Sequence, residues 1–423
     1  MANLLTELVH KFRAWLGLGP RPPEAEAAPK APRLSPDDAE AHLKLCRFYG
    51  QQGRWREALE SCQQVVRLRP DYGEAHSNLG LAYAKLGHPQ EALLAYQQAI
   101  MLMPDNAEAR YYMGLVCEDL ELWDHAAAAF QEAIRLKPEH AEAHYRLGQV
   151  LMELGRPQDA VAPFEEAVRL NPDRADLQFF ALGLAYGMLN RYQEAMAAFR
   201  QAIRLNPGHP ELHFHLGGAS FLLGEPQEAL QAYQEAIRLK PDYAEALYQL
   251  GLTYSQLNRP QEAQDALLEA IRIKPDYVEA HIHLGAVYYD LGRFKESVAT
   301  LQEAIRIKPD FAQANFQLGL AYDHMGHHPE ALGAFKQAVR LNPTNPEAHY
   351  YLGVTYVQLG RHQDAVGALK QAVILKPAHA GAHYGLGLSY LVLGDKDAAR
   401  AEYDTLKDLD QKLAEDLLAL IQK

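Results

Sequence analysis

The chain has 423 residues, 48% hydrophobic and 22% charged, with 41 Lys+Arg against 54 Asp+Glu and a formal net charge of −13. This is too apolar for a disordered chain, and an acid excess without clustered Lys and Arg does not suit a phosphate backbone as main ligand. No run of about 18 apolar residues is present, which excludes a membrane-spanning helix. Cys46, Cys62 and Cys117 are too few for a disulfide framework and have no metal-ligand spacing.

The first predicted element is an amphipathic helix over residues 3–17, within a segment bounded at 1–18. Leu4, Leu5, Leu8, Val9, Phe12, Trp15 and Leu16 share one face, with Glu7, Lys11 and Arg13 opposite. The charges interrupt any continuous apolar region of a secretory signal. A cytoplasmic chain with reduced thiols is therefore expected. Residues 19–38 contain six prolines and read as a Pro/Ala-rich, semi-extended linker. The tethered helix has three open destinations: a membrane surface, a partner, or this chain's own groove. The first would make the protein peripheral on the inner face of a membrane, anchored by Leu5, Leu8, Phe12 and Trp15.

An internal repeat then fills most of the chain. A glycine recurs at 80, 114, 148, 183, 217, 251, 285, 319, 353 and 387, every 34 residues except for one step of 35. A proline follows 24 residues later in nearly every copy, from Pro104 to Pro377. The first copy has Cys46 in the glycine's place but keeps Pro70, so eleven copies run over residues 39–413. In residues 141–174, Ala143, Leu147, Val150, Leu151 and Leu154 fall at helical spacing and Gly155 supplies a stop. Pro157 suits the first turn of a second helix, whose stripe is Ala160, Phe164, Ala167 and Leu170. One such pair cannot cover its own apolar surface, so neighbouring copies must stack.

The pattern resembles the tetratricopeptide repeat family. Its small-large-small positions stand here as Gly80, Tyr83, Ala92, Tyr96, Ala99 and Pro104, and again as Gly251, Tyr254, Ala263, Leu267, Ala270 and Pro275. The resemblance implies an all-α fold, a right-handed superhelical α-solenoid with a concave groove lined chiefly by each first helix. Extended peptides or partner helices are the ligands it implies. By the same analogy, the residue three before each glycine faces the groove. Eight of these eleven residues are aromatic, the others being Leu43, Ser77 and Ile282. The implied groove residues are Tyr111, Tyr145, Phe180, Phe214, His215, Gly218, Tyr248, Phe316, Tyr350 and Tyr384. The residue after the glycine is mostly aliphatic, as in Leu81, Leu115, Leu184 and Leu252, where many family members carry Asn. A carboxylate clamp of the kind some relatives use is disfavoured, because Leu43, Glu108 and Tyr112 stand where it needs basic residues.

Copies five and six depart most from the pattern. The extra residue lies between Pro172 and Gly183, and Gly217, Gly218, Ala219 and Ser220 remove bulk from copy six. A local widening is expected there. In the last copy Gln411 replaces the proline, and Leu413, Leu417, Leu420 and Ile421 form an apolar stripe. Residues 412–423 read as a helix capping the array.

Seven histidines, His42, His76, His144, His213, His281, His349 and His383, share the position four before the glycine and read as packing residues. His324, His327 and His328, beside Asp323, lack the spacing of a strong zinc site. Cys46 and Cys62 face each other across copy one and read as buried thiols. No phosphate loop, GxSxG or HExxH motif occurs, so no cofactor and no catalysis are expected. These features suggest a scaffold that binds protein partners and assembles a complex. The alternative is a substrate-recruiting adaptor for a separately encoded enzyme such as a glycosyltransferase. Self-association is a third expectation.

Overall fold

The computed structural model describes residues 38–172 and 175–422. The expected amino-terminal helix, with Leu5, Leu8, Phe12 and Trp15, and all of the linker but Asp38 lie outside the described residues. The fold is all-α, an array of helix-turn-helix repeats: among the described residues there are 23 helices, from Ala39–Gln51 to Gln411–Ile421, and no strand. They form two compact units, one ending at Val150 and one beginning at Leu151. Within each unit consecutive helices pack as pairs, and each pair packs on the next.

Each helix starts and stops for local reasons. Asp38, Asn106, Asn345, Asp395 and Asp410 accept a hydrogen bond from a first-turn amide. Proline occupies the first turn of helices such as Pro89–Leu102 and Pro260–Ile273, where no amide donor is required. The turn between the two helices of a copy needs one left-handed residue. Glycine supplies it in eight copies, for example Gly87 and Gly326, while Glu121, Asn190 and Asn258 take it in the other three.

The recurring glycine sets the approach of the paired helices. A methyl group at Gly114 would sit 2.6 Å from Phe130, at Gly217 2.7 Å from Tyr233, and at Gly285 2.6 Å from Leu301. Each large partner lies sixteen residues on in the second helix, and all three are essentially inaccessible to solvent. Removing bulk on one helix thus creates the slot that a ring or leucine fills from the other.

Copy one uses different chemistry at the same two positions. Cys46 and Cys62, also sixteen residues apart, are joined as a disulfide with their Cα atoms 5.4 Å apart. The expectation of two reduced thiols is corrected here. The glycine-to-ring slot brings the two backbones within disulfide range, and small side chains in both places leave the sulfurs in contact. Cys117 is free and buried, and burial pushes its thiol up to about 11.

Between copies four and five, Leu170 and the Asp176 that opens the next helix are separated by five residues, where other junctions have four. That next helix has the usual 13 residues, so the extra residue falls in the connection. At the far end, Asp410 caps Gln411–Ile421, burying Ala414, Leu417 and Ile421 while Leu420 stays exposed. Leu417 fills the space beside Gly387 that a second-helix residue fills in other copies.

Candidate functional site

The first helices present three neighbouring columns of side chains, and their burial differs. In the column three before the glycine, Tyr111, Tyr145, Phe180 and Tyr248 are buried, whereas Phe214, Phe316, Tyr350 and Tyr384 are half-buried. Tyr111 lies against Phe130 and His140, with ring centroids 5.7 and 4.7 Å away. Phe214 meets Tyr233 and Tyr243, and Tyr350 meets Tyr351 and His379. The column therefore spends much of its aromatic surface joining a first helix to its own second helix and to the copy that follows. It lies deeper than an open wall.

One residue further along, the column two before the glycine is more accessible. Tyr112, Arg146, His215, Gln249, His283, Gln317 and Tyr351 are all half-buried. Sequence reasoning singled out only His215 of these as a groove residue. Several of these rings stack on the slot-filling ring of the preceding copy: Tyr112 on Tyr96 at 6.2 Å, His215 on Phe199 at 5.8 Å and Tyr351 on Phe335 at 5.7 Å. Beside them the column after the glycine leaves Leu115, Leu184, Gly218 and Val354 half-buried. Each unit thus has its own polar-aromatic strip flanked by aliphatic side chains: Tyr112 and Arg146 beside Leu115 in the first, and His215, Gln249, His283, Gln317 and Tyr351 beside Leu184, Gly218 and Val354 in the second.

Charge on this face is mostly paired. Glu108 takes Lys137 at 3.3 Å, Glu347 takes Lys376 at 2.9 Å, and Arg47 pairs with Glu74. Arg146 bonds Glu142 at 3.0 Å and lies 3.8 Å from Glu118, so opposite charge holds its guanidinium protonated despite burial. Burial among Phe180, Phe199 and Phe214 pulls His215 down to about 4, and burial also lowers His283. The His215 ring is neutral at physiological pH. The Oε1 atoms of Gln149 and Gln317 are buried without a hydrogen-bond partner.

The histidine column has a definite job. Nε2 donates to the proline carbonyl six residues earlier in His76, His144, His213, His281, His349 and His383, at 2.8–3.1 Å. Each bond ties a first helix to the early part of the connection before it. The fixed Pro–His spacing in the sequence is the signal that could have revealed this. His324 sits between Tyr289 and Phe294, His327 stacks on Tyr322, and His328 Nδ1 lies 3.1 Å from Asp323. Among the described residues no three His, Cys, Asp or Glu side chains converge as a metal site.

In the first unit a pocket of about 510 Å³ opens between copies two and three, lined by Glu74, Ser77, Asn78, Leu81, Met103, Asn106, Glu108 and Tyr112. It occurs where Ser77 replaces the ring common in that column.

Family profiles match along most of this repeat array. Tetratricopeptide repeat profiles match residues 47–87, 73–106, 316–380 and 355–414, and the profile of the cilia and flagella-associated protein 70 C-terminal domain matches 118–317. The chain belongs to the tetratricopeptide repeat family. No curated protein matches it. Among solved structures, YrrB, described as a TPR protein with an unusual peptide-binding site, is 25% identical over 45% of this chain and 97% of its own, with a TM-score of 0.43. MamA from Desulfovibrio magneticus RS-1 is 26% identical over 40% of this chain and 96% of its own, with a TM-score of 0.38. A chain of the APC/C hetero-tetramer Cut9–Hcn1 is 14% identical over 91% of this chain and 96% of its own, with a TM-score of 0.44. Among the described residues no helix is long and apolar enough to cross a membrane.

Proposed function

We propose that the chain is a protein-interaction scaffold that holds extended peptides or partner helices along the face of its first helices. The observation that carries this reading is the half-buried strip that the columns two before and one after the glycine build within each unit. Such a strip offers apolar area with interspersed polar groups, the composition of peptide grooves. Within the aromatic column, Phe214, Phe316, Tyr350 and Tyr384 would touch the ligand beside His215 and Gly218. Tyr111, Tyr145, Phe180 and Tyr248 would hold the floor. Recruitment to a membrane surface through residues 3–17 remains a proposal of the sequence pattern. Flotation of the full chain with anionic vesicles, compared with a variant lacking residues 1–38, tests it.

The test of the scaffold reading compares two charge-bearing variants of the full chain. Leu115→Glu/Leu184→Glu/Val354→Glu alters the strip, and Leu94→Glu/Met101→Glu/Ile374→Glu alters exposed second-helix positions. Proximity labelling should lose most partners in the first variant and keep them in the second, with helix content unchanged in both. Equal capture by both would refute the assignment of the binding face.

A further inference from the structure

The column three before the glycine carries a large side chain in ten copies and a serine in one. Ser77 leaves open the volume that Tyr111 or Phe214 fills elsewhere, and the result is the pocket between copies two and three. Its walls are of two kinds. Leu81, Met103 and the Tyr112 ring supply apolar surface long enough to receive an extended aliphatic stem. The charged side chains that line it, Glu74 and Glu108, are both carboxylates. The Ser77 hydroxyl and the Asn78 amide make no hydrogen bond among the described residues, so both are available to a ligand's backbone or tip.

Resting on the scaffold reading above, we propose that this pocket takes the arginine or lysine side chain of an extended peptide, with its cation at Glu74 and Glu108. A long side chain that is apolar along its length and positive at its end matches both kinds of wall. An acidic side chain would meet two carboxylates, and a purely aliphatic one would leave them unanswered. Tyr112 adds a ring face for a guanidinium. The ion pairs these carboxylates make, Arg47–Glu74 and Lys137–Glu108, and His140 at 3.9 Å from Glu108, bring no further side chain into the pocket lining. Side chains in both pairs are more than a third exposed, so these bonds are weak and readily exchanged. The chain's excess of 54 acids over 41 bases favours a cationic ligand over a long range as well.

The experiment uses the full-length protein with ¹³C-methyl methionine and two small probes, N-acetyl-arginine amide and its uncharged isostere N-acetyl-citrulline amide. Met103 is the reporter. Arginine should give a saturable shift of the Met103 methyl at least about tenfold tighter than citrulline, the discrimination expected of one charge-assisted contact. Ser77→Phe, which restores a ring of the kind the column carries elsewhere, should abolish the shift. Glu74→Gln/Glu108→Gln should reduce arginine to the citrulline level. The proposal is overturned by an absent Met103 shift in a protein that retains native helix content, by equal response to both probes, or by persistence of the shift in Ser77→Phe. The titration needs no protein partner, so its outcome is independent of the labelling test. A silent Met103 with strip-dependent capture sinks the pocket and leaves the scaffold. A responsive Met103 with capture insensitive to the strip leaves the pocket and sinks the assigned face.

Discussion

Copy nine offers two glycine-to-alanine changes whose effects should differ by about 1–3 kcal/mol. Gly319 lies in the helix Ala312–His324, and a methyl group there would stand 2.5, 2.6 and 2.8 Å from three ring atoms of Phe335. The ring is fully buried and flanked by Phe316 and Tyr351, with centroids 5.9 and 5.7 Å away, so it has little room to withdraw. Gly333 lies in His328–Leu341, is exposed, and its methyl group would meet nothing within 4 Å. Either change gains about 1 kcal/mol of helix propensity. Only Gly319→Ala carries the overpacking penalty, about 1–3 kcal/mol. Gly333→Ala should therefore stabilise copy nine by about 1 kcal/mol, with Gly319→Ala lying about 1–3 kcal/mol below it. Because stability in such arrays is a sum of local and nearest-neighbour contributions, a global unfolding midpoint would dilute the difference. Native-state hydrogen exchange of residues 312–341 is the appropriate assay. Protection in Gly319→Ala equal to that in Gly333→Ala would show that the slot is not closed by its ring, and helix pairing through complementary residue sizes would be refuted.

Reducing Cys46–Cys62, which closes a loop of sequence separation 16, should lower the local stability of residues 39–68 by about 3 kcal/mol on the loop-entropy estimate. Hydrogen exchange with and without dithiothreitol reads this directly, and no change in those amides would refute it. Glu121 holds a left-handed conformation, φ 57°, that costs an L-residue roughly 1–2 kcal/mol. Glu121→Gly should stabilise copy three by about 1 kcal/mol, and a loss of protection there would contradict the turn assignment. Burial holds the folded His215 near 4, below its ordinary value of 6.5, so the unfolded chain binds more protons between those values. This stability is present above pH 6.5 and is lost as pH falls towards 4, at most about 3 kcal/mol. Urea unfolding of the wild type against His215→Phe at pH 7 and pH 4.5 should show the wild type losing more, and parallel losses would refute the burial argument.

The pairing of helices was legible in the sequence because it rests on two residues sixteen apart whose sizes are complementary, such as Gly114 with Phe130 and Gly251 with Leu267. Size alternation survives translation into a linear string. The differing burial of rings along the aromatic column was not legible in this way. Successive helix residues differ by about 100°, so the positions three and two before the glycine both lie near the seam between copies. Which one stays accessible depends on how far the next copy is rotated, and that is set by contacts such as Tyr351 on Phe335, between residues of different copies. No local pattern in one copy encodes it. The same reasoning explains the cysteines: their mutual facing followed from their positions, but bonding required the 5.4 Å Cα separation that the slot imposes. Ser77 is the converse case. A missing ring in one repeat can be read off the sequence at once, yet it becomes a pocket only because Met103, Leu81 and Tyr112 do not close over the space. Departures from the repeat are therefore where sequence and structure must be read together. Much of the regular aromatic column is spent holding the copies to one another, and Ser77, which lacks a ring, leaves volume beside that column open.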